Sequence, residues 1–257
     1  MGCREVHVHF RFADARLWRY VLRGLAEYLD VVGIRVHPEE GVRIKAMDPS
    51  HVMLVDLEIP RSAFDEFEVD QEAILAVNLE MAAKALRRAT KNDKLVVMSD
   101  GVKITFGLVS KGGVERYFTL PLVAAREEEI PELSLDLNIV AKTLGPIFAT
   151  ALSVLEKAGD ILKIRATPEA LSLTAISELG EIEFEFSVTS GTLIDYQPPQ
   201  DGEVTVGYSL EYFDILAKVS KMSDTITIKL GPDMPCEITA ELTSNAVLRT
   251  YIAPRVE

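Results

Sequence analysis

The sequence repeats itself at a spacing of about 130 residues, and this duplication limits the possible folds more than any other feature. The segment IRVHPEEGVRIKA begins at Ile34, and the similar segment IRATPEALSLTA begins 130 positions later at Ile164. The segment from Leu79, LEMAAKALRRATKNDKLVV, returns 131 positions later at Leu210 as LEYFDILAKVSKMSDTITI. Spacing this constant across separate segments indicates two copies of one domain. We therefore predict an N-terminal domain over residues 1–122, a linker over 123–132 and a C-terminal domain over 133–257.

Each copy is predicted to contain short strands and two amphipathic helices in the same order. The predicted helices are Ala15–Leu29, Leu79–Thr90, Leu144–Ala158 and Leu210–Lys221. The strands of the first copy are Val6–Phe12, Gly33–Val36, Val42–Met47, Val52–Ile59, Phe64–Val69, Lys94–Ser99, Lys103–Leu108 and Val114–Leu120. Those of the second copy are Leu133–Val140, Ile161–Ala166, Leu171–Ala175, Glu181–Val188, Val204–Tyr208, Thr225–Leu230, Glu237–Leu242 and Leu248–Ile252. This order predicts two similar α+β domains with antiparallel sheets rather than a parallel Rossmann sheet.

Composition bounds the class of protein. Hydrophobic residues make up 48% of the chain, which is enough for a packed core, and no apolar run approaches the roughly 20 residues of a membrane helix. The N-terminal residues lack the apolar core of a signal peptide, so we expect an intracellular protein. Cys3 and Cys236 form no metal or redox spacing. We expect reduced thiols, and a disulfide between the two stays open.

Positive charge is concentrated on the predicted helices, although the chain has 40 acidic and 27 basic residues and a net charge of −13. Helical spacing places the cations of each helix on one face. The members of this set are Arg16, Arg19, Arg23, Lys84, Arg87, Arg88, Lys91, Lys218 and Lys221. A solvated helix face is the plain interpretation. The acids lie in strands and loops instead, which favours a surface that is offered to phosphates.

The two copies differ at one strand. Val52–Ile59 aligns with Glu181–Val188, and the core-facing residues match, but Val52 and Leu54 stand where the second copy has glutamates. An apolar patch on the face that alternation assigns to solvent is typical of a docking site. Alternatively the linker covers this patch, or the linker forms one wall of a partly open pocket.

The sequence gives little support to catalysis. His7 and His9 share one face of a strand, but no third metal ligand is spaced to join them. The GxSxG, HExxH and P-loop patterns are absent from the sequence. We therefore predict no enzymatic activity, no catalytic residue, no metal and no cofactor. An acid–base enzyme that uses paired carboxylates is the least favoured hypothesis.

Several stretches together resemble the proliferating cell nuclear antigen (PCNA) family of DNA sliding clamps, of archaeal type. They are KAMDPSHVMLVDLEIP, VNLEMAAKALRRA, the linker end EIPEL, GPDMPCEITAEL and the C-terminal LRTYIAPRVE. The resemblance implies a DNA clamp fold in which three two-domain subunits close head to tail into a six-domain, pseudo-symmetric ring. Helices would line the hole and sheets would form the outer wall.

The resemblance also assigns sites, residue by residue. It places the nine helix cations listed above toward DNA. It places a partner-peptide pocket at Met47, His51, Val52, Leu54, Ile130, Pro131, Pro235, Tyr251, Ala253 and Pro254. It places the subunit interface at Val114, Arg116, Phe118, Leu120, Gly180, Ile182 and Phe184, where one subunit's strand pairs with the next subunit's strand.

The function that the resemblance implies is a polymerase processivity factor in DNA replication and repair. Its partners would be encircled double-stranded DNA, sister subunits in a homotrimer or heterotrimer, DNA polymerase, the clamp loader, flap endonuclease and DNA ligase, with no membrane. The location would be cytoplasmic and nucleoid-associated in a prokaryote, or nuclear in a eukaryote. The alternative is a ring-like or dimeric peptide-binding adaptor that does not encircle DNA. The acidic linker VAAREEEIPE and the scarcity of cations in the second copy are departures from the family pattern.

Overall fold

The described residues of the computed structural model, 5–125 and 129–256, divide into two compact units. The first unit contains the residues up to Asp48 together with Asp56–Ile130 and Ser244–Ala246. The second contains Pro49–Val55, Pro131–Thr243 and the residues from Val247 onward. The predicted domain boundaries near residues 122 and 133 stay a prediction.

The first unit is built from two sheets and two helices. Its elements are β1 (Val8–Phe12), α1 (Arg16–Ala26), β2 (Val31–His37), β3 (Gly41–Met47), β4 (Met53–Pro60), β5 (Glu66–Val69), β6 (Ala73–Asn78), α2 (Leu79–Leu86), β7 (Asp93–Ser99), β8 (Lys103–Ser110) and β9 (Glu115–Pro121). One sheet has the order β5-β1-β7-β8-β9, and β4-β3-β2-β6 run side by side in the other. The first three residues of β4 belong to the second unit.

The second unit repeats this arrangement. Its elements are β10 (Ile139–Leu144), α3 (Gly145–Ala158), β11 (Ile161–Ala166), β12 (Leu171–Ser177), β13 (Gly180–Phe186), β14 (Asp195–Gln197), β15 (Val204–Ser209), α4 (Asp214–Val219), β16 (Thr225–Leu230), β17 (Cys236–Glu241) and β18 (Val247–Ile252). The strand orders are β14-β10-β16-β17-β18 and β13-β12-β11-β15, with antiparallel pairs throughout the printed registers. The α+β fold class with antiparallel sheets is therefore confirmed.

An ion pair recurs between the two copies. The Arg35 Nη1 lies 3.0 Å from Glu72 Oε1 in the first unit. The corresponding Arg165 Nη2 lies 2.7 Å from Glu203 Oε2 in the second. Both pairs are exposed, and exposed pairs contribute little to stability. Their recurrence at the same place marks the two units as copies of one pattern.

Two strands were not predicted. β6 has the sequence AILAVN, and β14 has only three residues, so neither shows the alternation that identifies a strand. Pairing of Phe64–Val69 with Val204–Tyr208 is wrong, because β5 corresponds to β14 and β6 corresponds to β15. Strand β10 also begins at Ile139, later than the predicted Leu133–Val140.

The helices are shorter than periodicity predicts. α1 ends at Ala26 and α2 ends at Leu86, where single turns follow instead of helix. The Asn78 side chain accepts a 3.0 Å hydrogen bond from Met81 N, which fixes the start of α2. The predicted helix Leu210–Lys221 consists of α4 with a 3₁₀ turn at each end.

Each unit has its own hydrophobic core. Each helix packs one face against that core and leaves its opposite face exposed to solvent. In the first unit α1 buries Leu17, Trp18, Val21, Leu22 and Leu25, and Trp18 packs 5.6 Å from Phe10 between ring centres. In the second unit α3 buries Phe148, Leu152 and Leu155. Because these residues fall on one stripe, the remaining helix positions, cations among them, face outward.

The second cysteine is a structural thiol. Cys236 is buried and free, and burial raises its pKa to about 12, so it stays protonated. Cys3 lies outside the described residues, so the expected redox state of that residue stays a prediction. No helix in the described part of the chain is long and apolar enough to cross a membrane.

We predict that Gly145→Ala destabilises the fold by about 1–3 kcal/mol, the usual cost of overpacking. A Cβ at this position would lie 2.5 Å from Ser220 O and nearer still to Ser223 O, both backbone atoms. The matched control is Gly112→Ala, since a Cβ there meets nothing within 4 Å. Urea unfolding measures both variants, and equal midpoints would contradict the prediction.

Candidate functional surfaces

The first unit presents a cationic surface formed by α1 and α2, which pack against each other. Arg19 joins the two helical segments, because its Nη1 donates a 2.9 Å hydrogen bond to Ala89 O beyond the end of α2. Arg16 and Arg19 are half-buried. The exposed members of this surface are Arg23, Lys84, Arg87, Arg88 and Lys91. The structure thus gathers all seven predicted cations of this unit on its two helices or directly after them.

Not all of these cations are equally free to meet an anion. The guanidinium of Arg16 binds Asp14 in a bidentate pair, with Nε to Oδ1 at 3.0 Å and Nη2 to Oδ2 at 2.6 Å. Hydrogen bonding to Asp14 raises the pKa of Arg16. Lys84 Nζ lies 3.0 Å from Glu80 Oε1 in an exposed pair, which is weak. The net positive charge of this surface therefore comes mainly from the four other exposed cations, Arg23, Arg87, Arg88 and Lys91.

The corresponding surface of the second unit carries acids. Lys218 Nζ lies 2.8 Å from Asp214 Oδ2 on α4, and Lys221 is exposed. Glu156 of α3 has a raised pKa, first because of burial and then because of the nearby Asp214 carboxylate, which Lys218, Lys221 and Lys157 partly offset. The predicted scarcity of usable cations in the second copy thus has a structural counterpart. Sequence reasoning missed Glu156, because its closeness to Asp214 depends on how α3 packs on α4.

The predicted pocket residues divide between the units. His51, Val52, Leu54, Pro131, Pro235, Tyr251, Ala253 and Pro254 belong to the second unit, and Met47 and Ile130 to the first. Ala253 N donates a 2.8 Å bond to Val52 O, which brings the C-terminal segment beside the start of β4. Tyr251 OH donates to Glu237 Oε1 at 3.2 Å. In the first unit, Lys45 Nζ lies 3.5 Å from Ile130 O.

Strand β4 is buried more fully than alternation predicts. Leu54 is 3% exposed and Asp56 is 6% exposed, although both lie on the face expected to meet solvent. That expectation is wrong for these two residues. Every other pocket residue keeps part of its surface accessible. A candidate pocket at this place therefore rests on the partly exposed residues rather than on Leu54.

The predicted interface residues lie on two strands at sheet edges, β9 and β13, except Val114, which directly precedes β9. Val114 is 65% exposed, Phe118 is 38% exposed and Ile182 is 41% exposed, while Arg116 and Gly180 are also exposed. Phe184 is half-buried and Leu120 is buried. Apolar side chains along a bare strand edge are a hazard for aggregation unless another strand covers them.

A cavity of about 570 Å³ in the first unit was not predicted. It is lined by Glu39, Glu40, Pro60, Arg61, Ser62, Phe64 and Phe67. In the second unit, Tyr196 occupies the position of Phe67 and its hydroxyl donates to Thr167 O at 2.6 Å, tying down the neighbouring turn. The difference between Phe67 in the first copy and Tyr196 in the second was the sequence signal that could have pointed to this cavity.

Metal binding finds no support in the described residues, which contain no group of three or more His, Cys, Asp or Glu able to hold an ion. His7 Nε2 lies 3.7 Å from Glu68 Oε2, and His9 Nδ1 lies 4.0 Å from Glu66 Oε2. His9 lies on β1 and His7 directly before it, and both contacts reach glutamates of β5. They have the geometry of surface pairing rather than of ligation.

Comparison with known proteins identifies the family. The family profile "Proliferating cell nuclear antigen, N-terminal domain" matches residues 8–116. The chain is 33% identical to DNA polymerase sliding clamp 3 of Aeropyrum pernix over 249 residues, covering 96% of this chain and 98% of the relative. It is 33% identical to the DNA polymerase sliding clamp of Thermofilum pendens, covering 97% and 100%. A crystal structure of a PCNA2–PCNA3 complex from Sulfolobus tokodaii matches with a TM-score of 0.85 and 31% identity, covering 97% and 100%.

A duplicated α+β chain with two helices per copy and cations on the outer helix faces defines the DNA clamp class of proteins. Within that class, the chain belongs to the proliferating cell nuclear antigen family of DNA polymerase sliding clamps. The predicted family and fold are confirmed. Sliding clamps are processivity factors and not enzymes, so the family assignment also supports the prediction of no enzymatic activity.

We predict that Glu156→Gln stabilises the chain at pH 7, by on the order of 0.5 kcal/mol. A carboxyl whose pKa is raised in the folded state destabilises the fold when charged, so the gain fades as pH falls through that raised pKa toward the ordinary value. Thermal unfolding between pH 8 and pH 4 measures it. Glu178→Gln, at an exposed turn, is the control and should change nothing; a pH-independent gain at Glu156 would contradict this account.

Proposed function

We propose that this chain is one subunit of a closed ring that encircles double-stranded DNA and tethers replication and repair proteins to it. The observation that carries the proposal is the pair of long bare edges, β9 in the first unit and β13 in the second. An interface that joins two different edges head to tail either closes into a ring or grows without end. Three copies of a two-domain chain give six similar domains.

The proposed joint is strand pairing between β9 of one subunit and β13 of the next. Each strand has seven residues, which is long enough for a continuous ladder. Val114, Arg116, Phe118 and Leu120 would meet Gly180, Ile182 and Phe184 there. A complex of two sister clamps, PCNA2 and PCNA3, is among the similar solved structures, which supports assembly with sister subunits as well as with identical copies.

The cations on the helices would contact phosphates loosely and without sequence preference. Lysine and arginine contacts to phosphate are salt-dependent and carry no base information, which suits a protein that slides. Arg23, Arg87, Arg88 and Lys91 are the strongest candidates, because they are exposed and belong to the unit whose helix surface is cationic. Lys218 and Lys221 would contribute less, since Glu156 and Asp214 lie near them. Retention on DNA would come from encirclement rather than from affinity.

Client proteins would dock through the partly exposed residues around the C-terminal segment and the linker. By family resemblance these clients are DNA polymerase, the clamp loader, flap endonuclease and DNA ligase. Each would insert a short peptide with apolar and aromatic anchors beside Tyr251, Pro254 and Pro235, the usual form of a binding hot spot.

We predict that reversing Arg87 and Arg88 to Glu abolishes most of the protein's stimulation of a DNA polymerase. Loss of two phosphate contacts should also reduce the slope of log affinity against log salt by about 1.8. The matched control reverses Lys94 and Lys229, two lysines of strands β7 and β16, and changes the net charge equally. Polymerase extension on primed circular DNA, with the chain alone and with its sister subunits added, measures both. Unchanged stimulation by the Arg87 and Arg88 variant would favour the adaptor alternative.

For the pocket, Tyr251→Ala should weaken binding of a client peptide by tenfold or more, because the partly exposed ring against which the client's anchors would pack is lost. Tyr251→Phe keeps the ring and removes the hydroxyl that bonds to Glu237, so it should bind nearly as well as the parent chain. Fluorescence anisotropy with a labelled client peptide measures the affinities. Equal losses in both variants would mean that the hydroxyl, and not the apolar ring, holds the peptide.

A further inference from the structure

Three glutamates line one face of the bare edge strand β13. Glu181, Glu183 and Glu185 alternate with Ile182 and Phe184, and all three glutamates are exposed. Ile182, Phe184 and Phe186 lie opposite Ala175, Leu173 and Leu171 of β12, which are buried. The glutamates therefore share the other face, the one turned away from the core of the second unit.

The strand next to β13 does not neutralise these charges. Ile176, Thr174 and Ser172 of β12 lie directly opposite the three glutamates. The nearest cations of the sheet, Lys163 and Arg165, lie on β11 two strands away, roughly 9.6 Å at the usual strand spacing. Arg165 has electrostatic contact with Glu183 and Glu185, but its guanidinium is held 2.7 Å from Glu203.

In the first unit, the acids of the corresponding strand β4 have a cation on the adjacent strand. In that copy Arg43 of β3 occupies the position of Ser172, and its Nη2 lies 2.8 Å from Asp56 Oδ2 of β4. Its Nε also lies 3.4 Å from Glu58 Oε1. A cation on the adjacent strand thus neutralises the acids of β4. In the second unit the adjacent strand β12 supplies no such cation, and Arg165 acts on Glu183 and Glu185 only from two strands away.

The chain's own β9 offers no cation on the matching face. That face carries Glu115, Tyr117 and Thr119, and Tyr117 OH donates to Glu115 Oε2 at 2.9 Å. The ring of Tyr117 lies over Gly107 of β8. Arg116 is the cation of this strand, but it lies opposite Leu108, on the core-facing side with Phe118.

The duplication supplies the register of such a joint. Phe106 of β8 and Ile238 of β17 are equivalent positions of the two copies. Phe106 lies opposite Phe118 of β9, and Ile238 lies opposite Thr250 of β18. Strand β9 therefore corresponds to β18, and Tyr117 corresponds to Arg249. Directly after β18, Ala253 N donates a hydrogen bond to Val52 O. In the other copy, Pro121 corresponds to Ala253 and Glu181 corresponds to Val52, so the equivalent joint would place Pro121 opposite Glu181. Antiparallel pairing in that register sets Tyr117 opposite Glu185 and Thr119 opposite Glu183. Like charges or neutral groups across a strand pair give up the attraction that opposite charges provide.

We propose that β13 of this chain takes a cation-bearing edge strand of a different, sister subunit, and discriminates against β9 of a second copy of itself. Two observations favour a positively charged occupant: three exposed glutamates without an adjacent cation, and an arginine at the β18 position where β9 has Tyr117. Pro121 adds to the discrimination, because it has no N–H to donate where Ala253 donates one. This inference rests on the proposed closure of rings through β9 and β13 edges.

The test measures self-association of the purified chain by sedimentation and native mass spectrometry at low salt. The parent chain should stay well below three times 28.4 kDa. The double variant Glu115→Val with Tyr117→Arg, which copies Val247 and Arg249 of β18, should self-associate at least tenfold more tightly. Adding Glu185→Gln to that variant should remove most of the gain, and Glu115→Val with Tyr117→Phe serves as the uncharged control. High salt should weaken the arginine variant and not the control.

The outcomes separate this inference from the proposed function. A parent chain that forms a salt-insensitive trimer retained on circular DNA would overturn the discrimination and leave the ring intact. A gain in the arginine variant that survives Glu185→Gln would overturn the assigned contact. A third outcome would overturn the ring itself. In that outcome circular dichroism shows that all variants are folded, yet no variant self-associates and the parent chain does not assemble with related subunits.

Discussion

The backbone N–H and C=O groups along the outer edges of β9 and β13 face no neighbouring strand within residues 5–125 and 129–256. The other sheet edges in the described chain are managed locally. β5 and β14 are short, with four and three residues. β6 and β15 each accept a backbone hydrogen bond from the segment that follows the last strand of their copy, Val123 to Ala76 and Arg255 to Gly207. Two long edges remain, and an exposed edge of this length is a template on which another strand can pair.

The duplication also places the helices of both copies in the same way. In each unit one stripe of the helices is buried against the sheets, so whatever residues occupy the opposite stripe face outward. The first copy fills that stripe with arginine and lysine, and the second copy fills it with a mixture that includes Glu156 and Asp214. A chain with a net charge of −13 thereby keeps one positive surface. The fold provides the placement, and a few side chains determine what is bound.

Much of this architecture was predictable from the sequence, because the duplication appears as a constant spacing and the helices as periodic apolar stripes. β6 and β14 were not predictable, since AILAVN has no alternation and three residues carry no pattern. Leu54 is buried on the face that alternation assigns to solvent, and alternation within one strand does not report what covers that face. The pairing of Arg16 with Asp14 and of Arg19 with Ala89 O also depends on geometry that helical spacing leaves open.

Encirclement makes retention on DNA depend on topology rather than on affinity. The direct measurement is the dissociation rate of the loaded assembly from closed circular DNA, before and after one restriction cut, at constant salt. An encircling ring should be lost slowly from the closed circle and rapidly once the cut provides free ends. Equal rates from circular and linear DNA would contradict encirclement, since a surface-bound protein has no reason to distinguish the two.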